Sequence, residues 1–294
     1  MTTPPAMVSR ACSTLLGTPA RTAERLSAGS RTAVFRAGLR DGRRVIVKLY
    51  DHTARRNALT EAVAIRAAGV TVPVPQVLGS GTISSEGATA LITCDLGGHT
   101  LGVSVRSGRI PHAQALKDLG SLLARLHRAP PVEQVVPRRP FFDSFSPLTR
   151  RCPPELLNQI GPALAVIADT AERAPSVWCH GDIHFDNVVL SGPHGTRYLV
   201  DFTDAAPGLR EADVAHALVM TAAHTPWDRR TLLDAYAAPL DDTRLSAWVV
   251  VHTARCWVHA TPGTSRHLWS DRLADLARQT PHLFRTARRE GTQR

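Results

Sequence analysis

The segment His180-Gly181-Asp182-Ile183-His184-Phe185-Asp186-Asn187, with Asp201 fourteen residues beyond Asn187, constrains this chain more than any other feature. Ser176 to Cys179 is a short β-prone run entering it, and Val188 to Leu190 is a second run leaving it. Ser191 to Thr196 is then dense in turn formers, and Arg197 to Asp201 is apolar again, a pattern that predicts a hairpin. Closing that hairpin brings Asn187 and Asp201 together. A loop carboxylate, an amide and a second carboxylate then share one small region.

Such a set suits phosphoryl transfer. A loop Asp can accept or orient the proton of a hydroxyl as it attacks a γ-phosphate, while an Asn oxygen and a second Asp bind the hard cation that neutralises the phosphates. A rival reading uses the alternation of His180, Asp182 and His184: on a strand all three would project from one face, as nitrogen and oxygen ligands of a metal-dependent hydrolase. The N-terminal half weighs toward the first reading. Of 35 Lys plus Arg only two are lysines, Lys48 and Lys117. Lys48 lies in the β-branched run Arg44 to Leu49, after an Asp41-Gly42 turn that follows the strand-like Ala33 to Leu39. Thr53 to Ala68 predicts a helix, N-capped by Thr53 and stopped by Gly69 before Pro73 and Pro75. Glu61 falls on its apolar side with Ala58, Ala62 and Ile65. A carboxylate there needs a cation. Lys48, thirteen residues upstream across one strand-to-helix connection, is the candidate, with Arg55 and Arg66 as competing partners on the helix itself.

The 180–201 segment resembles the aminoglycoside phosphotransferase family, which shares the protein-kinase fold. The family loop reads H-G-D-x-H-x-x-N and is followed by a strand ending in Asp, and this chain matches every fixed position. The resemblance implies that Asp182 is the catalytic Asp, that Asn187 and Asp201 are magnesium ligands, and that His180 and His184 shape the loop. It extends to Gly208 and Asp213, where the family has a glycine and then an Asp that braces the catalytic loop. The Lys48 strand resembles the V-A-I-K strand of kinases, whose lysine contacts the α- and β-phosphates and pairs with a helix Glu, here Glu61. Leu26 to Phe35 has one glycine where protein kinases have three, and Ser27, Ser30 and Thr32 stand there as donors to phosphate. In the kinase-like fold the backbone around Thr93, Asp95 and Leu96, just before Gly97-Gly98, is the hinge that hydrogen-bonds the adenine edge. Phe202-Thr203 follows Asp201 in place of Phe-Gly, and no Walker-type phosphate loop is present.

The expected fold class is therefore α/β, two-lobed and protein-kinase-like. Residues 1–96 would form a nucleotide-binding lobe, a small sheet with one helix, and residues 97–294 a mainly helical catalytic and substrate-binding lobe. Leu116, Leu119, Leu123 and Leu126 form a core-facing helical stripe before Pro130-Pro131. Further helices are expected over 156–173, 211–223, 229–237, 245–260 and 267–283, with a long loop over 130–154. A chain of 294 residues that is 43% hydrophobic can bury a sizeable core. Without a leader pattern or a membrane-spanning run, and with five scattered cysteines lacking a C-x-x-C, a cytoplasmic protein with free thiols is expected. A net charge of +10 invites a nucleic-acid partner, but dispersed arginines and 5% aromatics argue against one.

The activity expected is ATP- or GTP-dependent, Mg2+-supported phosphorylation of a hydroxyl on a small molecule, with antibiotic inactivation the family's commonest role. A primary-metabolite kinase, the metal-dependent hydrolase and a silent nucleotide-binding module are the alternatives. From Ala205 onward the chain carries nine Asp/Glu against twelve Arg, together with Trp227, Trp248, Trp257 and Trp269. That balance suits a neutral, ring-containing acceptor, a nucleoside antibiotic such as a capuramycin or a macrolide, better than a polycation. Asp228, Asp241 and Asp242 are the acids able to form a local cation site instead.

Overall fold

Strand β3 (Arg44–Tyr50) organises the N-terminal part because both of its faces are covered. Its neighbours are β1 (Ala20–Ala28), β2 (Thr32–Leu39), β4 (Val77–Thr82) and β5 (Thr89–Cys94), in one antiparallel sheet of order β1-β2-β3-β5-β4. Alternation sends Val45, Val47 and Leu49 to one face, where they cluster with Phe35, Ala37 and Ile92. A helix α1 (Pro4–Leu16) closes that cluster through Val8, Ala11 and Cys12. The other face presents Lys48 and Tyr50 toward a second helix, α2 (Arg55–Ala68). α2 ends before Gly69 as expected, whereas its proposed cap Thr53 lies outside the described residues. The structure, a computed structural model, describes residues 4–28, 32–51, 55–83, 87–130, 148–171 and 175–285.

One helix was expected beside the sheet, and α1 is additional. Val8, Ala11 and Cys12 stand at i, i+3 and i+4 and are fully buried, and Met7, Leu15 and Leu16 extend the same apolar stripe against the sheet.

The C-terminal part is helical. After β6 (His99–Thr100) and α3 (Leu101–Arg106), α4 (His112–Leu126) buries Leu116, Leu119, Leu123 and Leu126 completely. The stretch expected to be a helix over 156–173 is two, α5 (Pro154–Gln159) and α6 (Gly161–Ala171). Pro162 has no N–H to bond the carbonyl a turn earlier, so the first helix stops. Beyond β7 (Val177–Cys179), β8 (Val188–Ser191), β9 (Thr196–Leu199) and β10 (Ala206–Gly208) come α7 (Arg210–Met220), α8 (Pro226–Tyr236), α9 (Asp242–His259) and α10 (Thr264–Gln279). α8 starts three residues earlier than its apolar pattern indicates because Thr225 caps it, accepting the Asp228 N–H at 3.0 Å, and Pro226 follows. α4 crosses α8 at Gly120, where a Cβ would run into the Leu232 carbonyl. α9 packs on α6, α7 and α10. Most of the expected long loop, 131–147, lies outside the described residues, and among those described no helix is long and apolar enough to cross a membrane. All five cysteines are free.

Candidate active site

The hairpin forms as its sequence predicts, β8 against β9 with Val188 opposite Leu199. Asn187 closes a 3-10 turn, Phe185–Asn187, whose first residue is preceded by His184; the His184 Nδ1 accepts the Asp186 N–H at 3.2 Å. Across the hairpin's open end the Val200 N–H donates to the Asn187 carbonyl at 3.1 Å. Asp201 follows with φ of 63°, a left-handed conformation that is uncommon outside glycine. Asn187 and Asp201 are thus neighbours, as expected.

Asp182 is fixed by a different device. Chain direction reverses at Gly181, whose φ of 82° and close approach to the Asp204 carbonyl leave no place for a Cβ. Asp213, in the first turn of α7, accepts the His180 N–H at 2.7 Å, the Gly181 N–H at 2.9 Å and His127 Nε2 at 3.2 Å. Burial opposes charge on Asp213, but the His127 contact and the backbone N–H outweigh it and hold its pKa at about 2. Asp213 thus ties two consecutive backbone N–H groups of this loop to α7.

His180 is engaged through both ring nitrogens: Nδ1 accepts the Asp182 N–H at 3.3 Å, and Nε2 donates to the Val200 carbonyl at 3.0 Å. That corrects the hydrolase alternative. His180, Asp182 and His184 do not share a strand face, since β7 ends at Cys179 and Gly181 turns the chain, and His180 has no lone pair left for a metal.

The Asp182 carboxylate has a neighbour at each oxygen and remains 39% exposed. Asn187 Nδ2 donates to Oδ2 at 3.2 Å and to the Asp182 carbonyl at 2.7 Å, and His184 Nε2 lies 3.6 Å from Oδ2. His216 Nε2 lies 3.2 Å from Oδ1, an ion-pair distance that lacks a hydrogen bond's alignment. Burial pushes the Asp182 pKa up, and His184 and His216 more than reverse this, leaving it below the ordinary carboxylate range. The same pairing raises His184 above an ordinary histidine despite its burial. His216 was not anticipated, although its position three residues after Asp213 puts it on the same face of α7.

Lys48 meets this hairpin from the sheet. Its Nζ donates to Glu61 at 3.2 and 3.1 Å and to Asp201 Oδ1 at 2.7 Å, and it also contacts Thr203 Oγ1. Burial opposes the ammonium, yet Glu61 and Asp201 prevail and raise its pKa. Of the competing partners for Glu61, Arg66 is exposed. Two further residues join the cluster unannounced by the sequence: Tyr50, whose hydroxyl donates to Glu61, and Thr203, whose Oγ1 is 2.6 Å from Asp201 and 3.1 Å from Glu61. Among the described residues, Asn187 Oδ1 and Asp201 Oδ2 accept no hydrogen bond. Two hard oxygens on adjacent chain segments are a donor set that fits Mg2+.

The hinge expectation narrows to two groups. Thr93 pairs with Ile46 on one side and Val77 on the other, so its backbone is engaged in the ladder. The Asp95 N–H donates to the Arg44 carbonyl at 3.3 Å, its carboxylate accepts Arg36 Nε at 3.0 Å, and the Leu96 carbonyl accepts the Ser191 hydroxyl. The Asp95 carbonyl and the Leu96 N–H bond no other described residue. Thr32 begins β2 opposite Tyr50, while Ser30 lies outside the described residues.

A five-stranded antiparallel sheet on a larger helical part, with a buried Lys–Glu pair meeting a hairpin carboxylate, is a protein-kinase-like fold. The chain is similar to the GDP and kanamycin complex of the aminoglycoside phosphotransferase APH(2")-IIIa, at 15% identity and TM-score 0.66, covering 92% of this chain and 98% of that one. It is similar also to a choline/ethanolamine kinase family protein from Mesorhizobium loti, at 18% identity and TM-score 0.63, covering 89% and 91%. A third likeness is to a putative fructosamine-3-kinase from Thermobifida fusca, at 21% identity and TM-score 0.58, covering 92% and 97%. No curated protein matches the chain by sequence. Residues 22–248 match the model of the phosphotransferase enzyme family (APH), and the chain belongs to that family.

Proposed function

We propose that this phosphotransferase moves the γ-phosphate of ATP or GTP to a hydroxyl of a small molecule, with Asp182 facing the acceptor and Lys48 facing the nucleotide. The observation that carries this is the Lys48–Asp201 contact at 2.7 Å, which joins the Lys48–Glu61 pair of the sheet to the hairpin holding Asn187. Residues 1–96 then act as the nucleotide-binding lobe and residues 97–294 as the catalytic and substrate-binding lobe. Asn187 and Asp201 would hold Mg2+, which supplies neutralisation of phosphate charge when bound. Lys48 adds positive charge at the phosphates, with Glu61 fixing its direction. The Asp95 carbonyl and the Leu96 N–H present an acceptor and a donor to the base edge, and Ser27, Ser30 and Thr32 would serve as donors to phosphate.

Asp182 is too acidic to take a proton from a resting hydroxyl. It instead orients the hydroxyl as a hydrogen-bond acceptor and receives its proton late, as the new O–P bond forms, in keeping with a loose transition state. Asp213 and His180 keep its backbone in place and His184 its side chain.

For the acceptor, a neutral or weakly charged ring-bearing antibiotic is favoured, a nucleoside type such as a capuramycin before a macrolide. Two acids that would attract a polycation are engaged elsewhere. Asp228 accepts the Thr225 hydroxyl at 2.7 Å and lies 3.5 Å from His112, while Asp241 caps α9 through the Arg244 N–H at 2.8 Å. A primary-metabolite hydroxyl is the second reading, since structural neighbours include a choline/ethanolamine kinase family protein and a putative fructosamine-3-kinase. A cytoplasmic location would supply the nucleotide. Purified protein with Mg-ATP or Mg-GTP should be incubated with nucleoside antibiotics, macrolides, aminoglycosides, choline and fructosamines, and products read by mass. Gain of one phosphate on a nucleoside or macrolide supports the reading. A higher kcat/KM for kanamycin-like aminoglycosides or for choline overturns the acceptor class.

A further inference from the structure

His216 sits beside the one carboxylate through which the proposed reaction passes, and three elements cooperate to keep it there. On α9, His252 is pinned by both nitrogens: Nε2 bonds the Ala212 carbonyl at 3.0 Å, and Nδ1 lies 3.4 Å from Arg255 Nη1. Its ring stacks on Trp248, one turn earlier on the same helix, with centroids 5.4 Å apart and planes 26° apart. The His216 ring, from α7, abuts that fixed ring edge to face at 5.0 Å and 86°. Held from behind in this way, His216 keeps Nε2 within ion-pair distance of Asp182 Oδ1, 3.2 Å away, in the loop that begins after β7.

The arrangement is selective. α7 braces the loop twice on one face: Asp213 takes two of its backbone N–H groups, and His216, one helical turn on, meets its side chain. Asn187 and His184 address only the opposite oxygen, Oδ2. Without His216 the carboxylate would be restrained at one oxygen alone and free to turn about its χ2 bond. Oδ1 has two acceptor sites, so an approach by His216 from one side leaves the other open to a hydroxyl. A nucleophile must lie within about 3–3.5 Å and in line with phosphorus, and a misplacement near 1 Å costs about a hundredfold.

We propose that His216 is a positioning residue for phosphoryl transfer: through a proton on Nε2 it fixes the rotamer of Asp182, so that Oδ1 presents its remaining lone pair to the acceptor hydroxyl. The proposal rests on Asp182 being the acceptor-side carboxylate. Because it acts on orientation, it moves kcat and spares nucleotide binding.

His216→Leu and His216→Gln should be compared with wild type and with Asp182→Asn, using Mg-ATP or Mg-GTP and the first acceptor that the mass screen yields. Leucine fills the space without a donor, whereas a glutamine amide reaches the position of Nε2. His216→Leu is expected to lower kcat by about 30- to 100-fold with the nucleotide KM within about threefold, and His216→Gln to restore it to within about fivefold of wild type. A His216→Leu kcat within threefold of wild type, or a glutamine variant as slow as the leucine one, overturns the proposal. If Asp182→Asn itself keeps full activity, the failure lies with the functional reading instead. An activity-free measurement stands beside these. Long-range 1H–15N spectra of wild-type protein labelled at histidine nitrogens should show the His216 proton on Nε2, with that resonance displaced in Asp182→Asn. A proton resident on Nδ1, or a resonance indifferent to Asp182→Asn, overturns the proposal even if the leucine variant fails to fold.

Discussion

Asp213→Asn should destabilise the protein through the loop rather than through the core. The carboxylate accepts three bonds, from the His180 and Gly181 N–H groups and from His127, at 2.7, 2.9 and 3.2 Å, and it is 2% exposed. An asparagine keeps one oxygen and turns an NH2 group toward a backbone N–H. With its oxygen in the place of Oδ2 it keeps the His180 and His127 bonds; losing the Gly181 bond to a charged acceptor costs about 1.5–3 kcal/mol and the buried, opposed N–H about 1–3 more, so a loss of about 3–5 kcal/mol is predicted. The pKa, lowered from 3.8 to about 2, gives a smaller figure, about 2 kcal/mol. The difference is expected: the pKa compares the ion only with its own neutral acid, which still accepts a bond, whereas the amide adds a misdirected donor. At roughly 2 °C per kcal/mol for a chain of this length, Tm should fall by about 6–10 °C.

The pH dependence has a fixed sign. A depressed carboxylate pKa contributes stability that is complete above the unfolded value of 3.8 and is lost as pH falls through about 2. Thermal unfolding of both proteins by circular dichroism should therefore give a Tm gap that is constant above about pH 5 and narrows below about pH 4. A gap under about 2 °C, or one indifferent to acid, would refute the bracing role.

Two other substitutions test the sheet and the helical packing. Lys48→Met leaves Glu61 buried without its cation and should cost about 3–5 kcal/mol, while lowering kcat/KM for nucleotide by about two orders of magnitude or more. Adding Glu61→Met should recover stability in a chemical denaturation series but not activity; recovery of both would show that the pair serves stability alone. Gly120→Ala, a change that by helix propensity stabilises by about 1 kcal/mol, should instead lower Tm, because its Cβ meets the Leu232 carbonyl and Ala235 across the α4–α8 crossing. An unchanged or raised Tm would show that the two helices can part without cost.

Much of the site was legible because its parts are local in sequence. The turn formers between β8 and β9 set the hairpin that joins Asn187 to Asp201, and alternation on β3 separates Lys48 from the Val45 and Val47 face. Glu61 was legible for an energetic reason, as an acid on an apolar helix face demands a cation. Tyr50 and His216 were not singled out, and Thr203 was read only as a departure from Phe-Gly, because no charge or motif in the sequence marks them as members of the site. Tyr50 ends an apolar strand, Thr203 stands in place of a glycine, and His216 lies in an apolar helix run; their partners Glu61, Lys48 and Asp182 lie on other elements. Helix α1 was legible as well, since Met7, Val8, Ala11, Cys12, Leu15 and Leu16 recur at helical spacing, but the expected fold left no second helix beside the sheet. The break before α6 was present in the sequence as Pro162, and the long apolar run around it outweighed that single residue.

The most direct test of the account separates binding from transfer at Asp182. Mg-ATP and Mg-GTP affinity should be measured by calorimetry for wild type and Asp182→Ala, alongside phosphate transfer to the best acceptor. In the proposed role Asp182 meets the acceptor and not the phosphates, so nucleotide Kd should stay within about threefold while turnover falls by a factor of a hundred or more. Turnover within tenfold of wild type, or activity supported by zinc and not by magnesium, would contradict it.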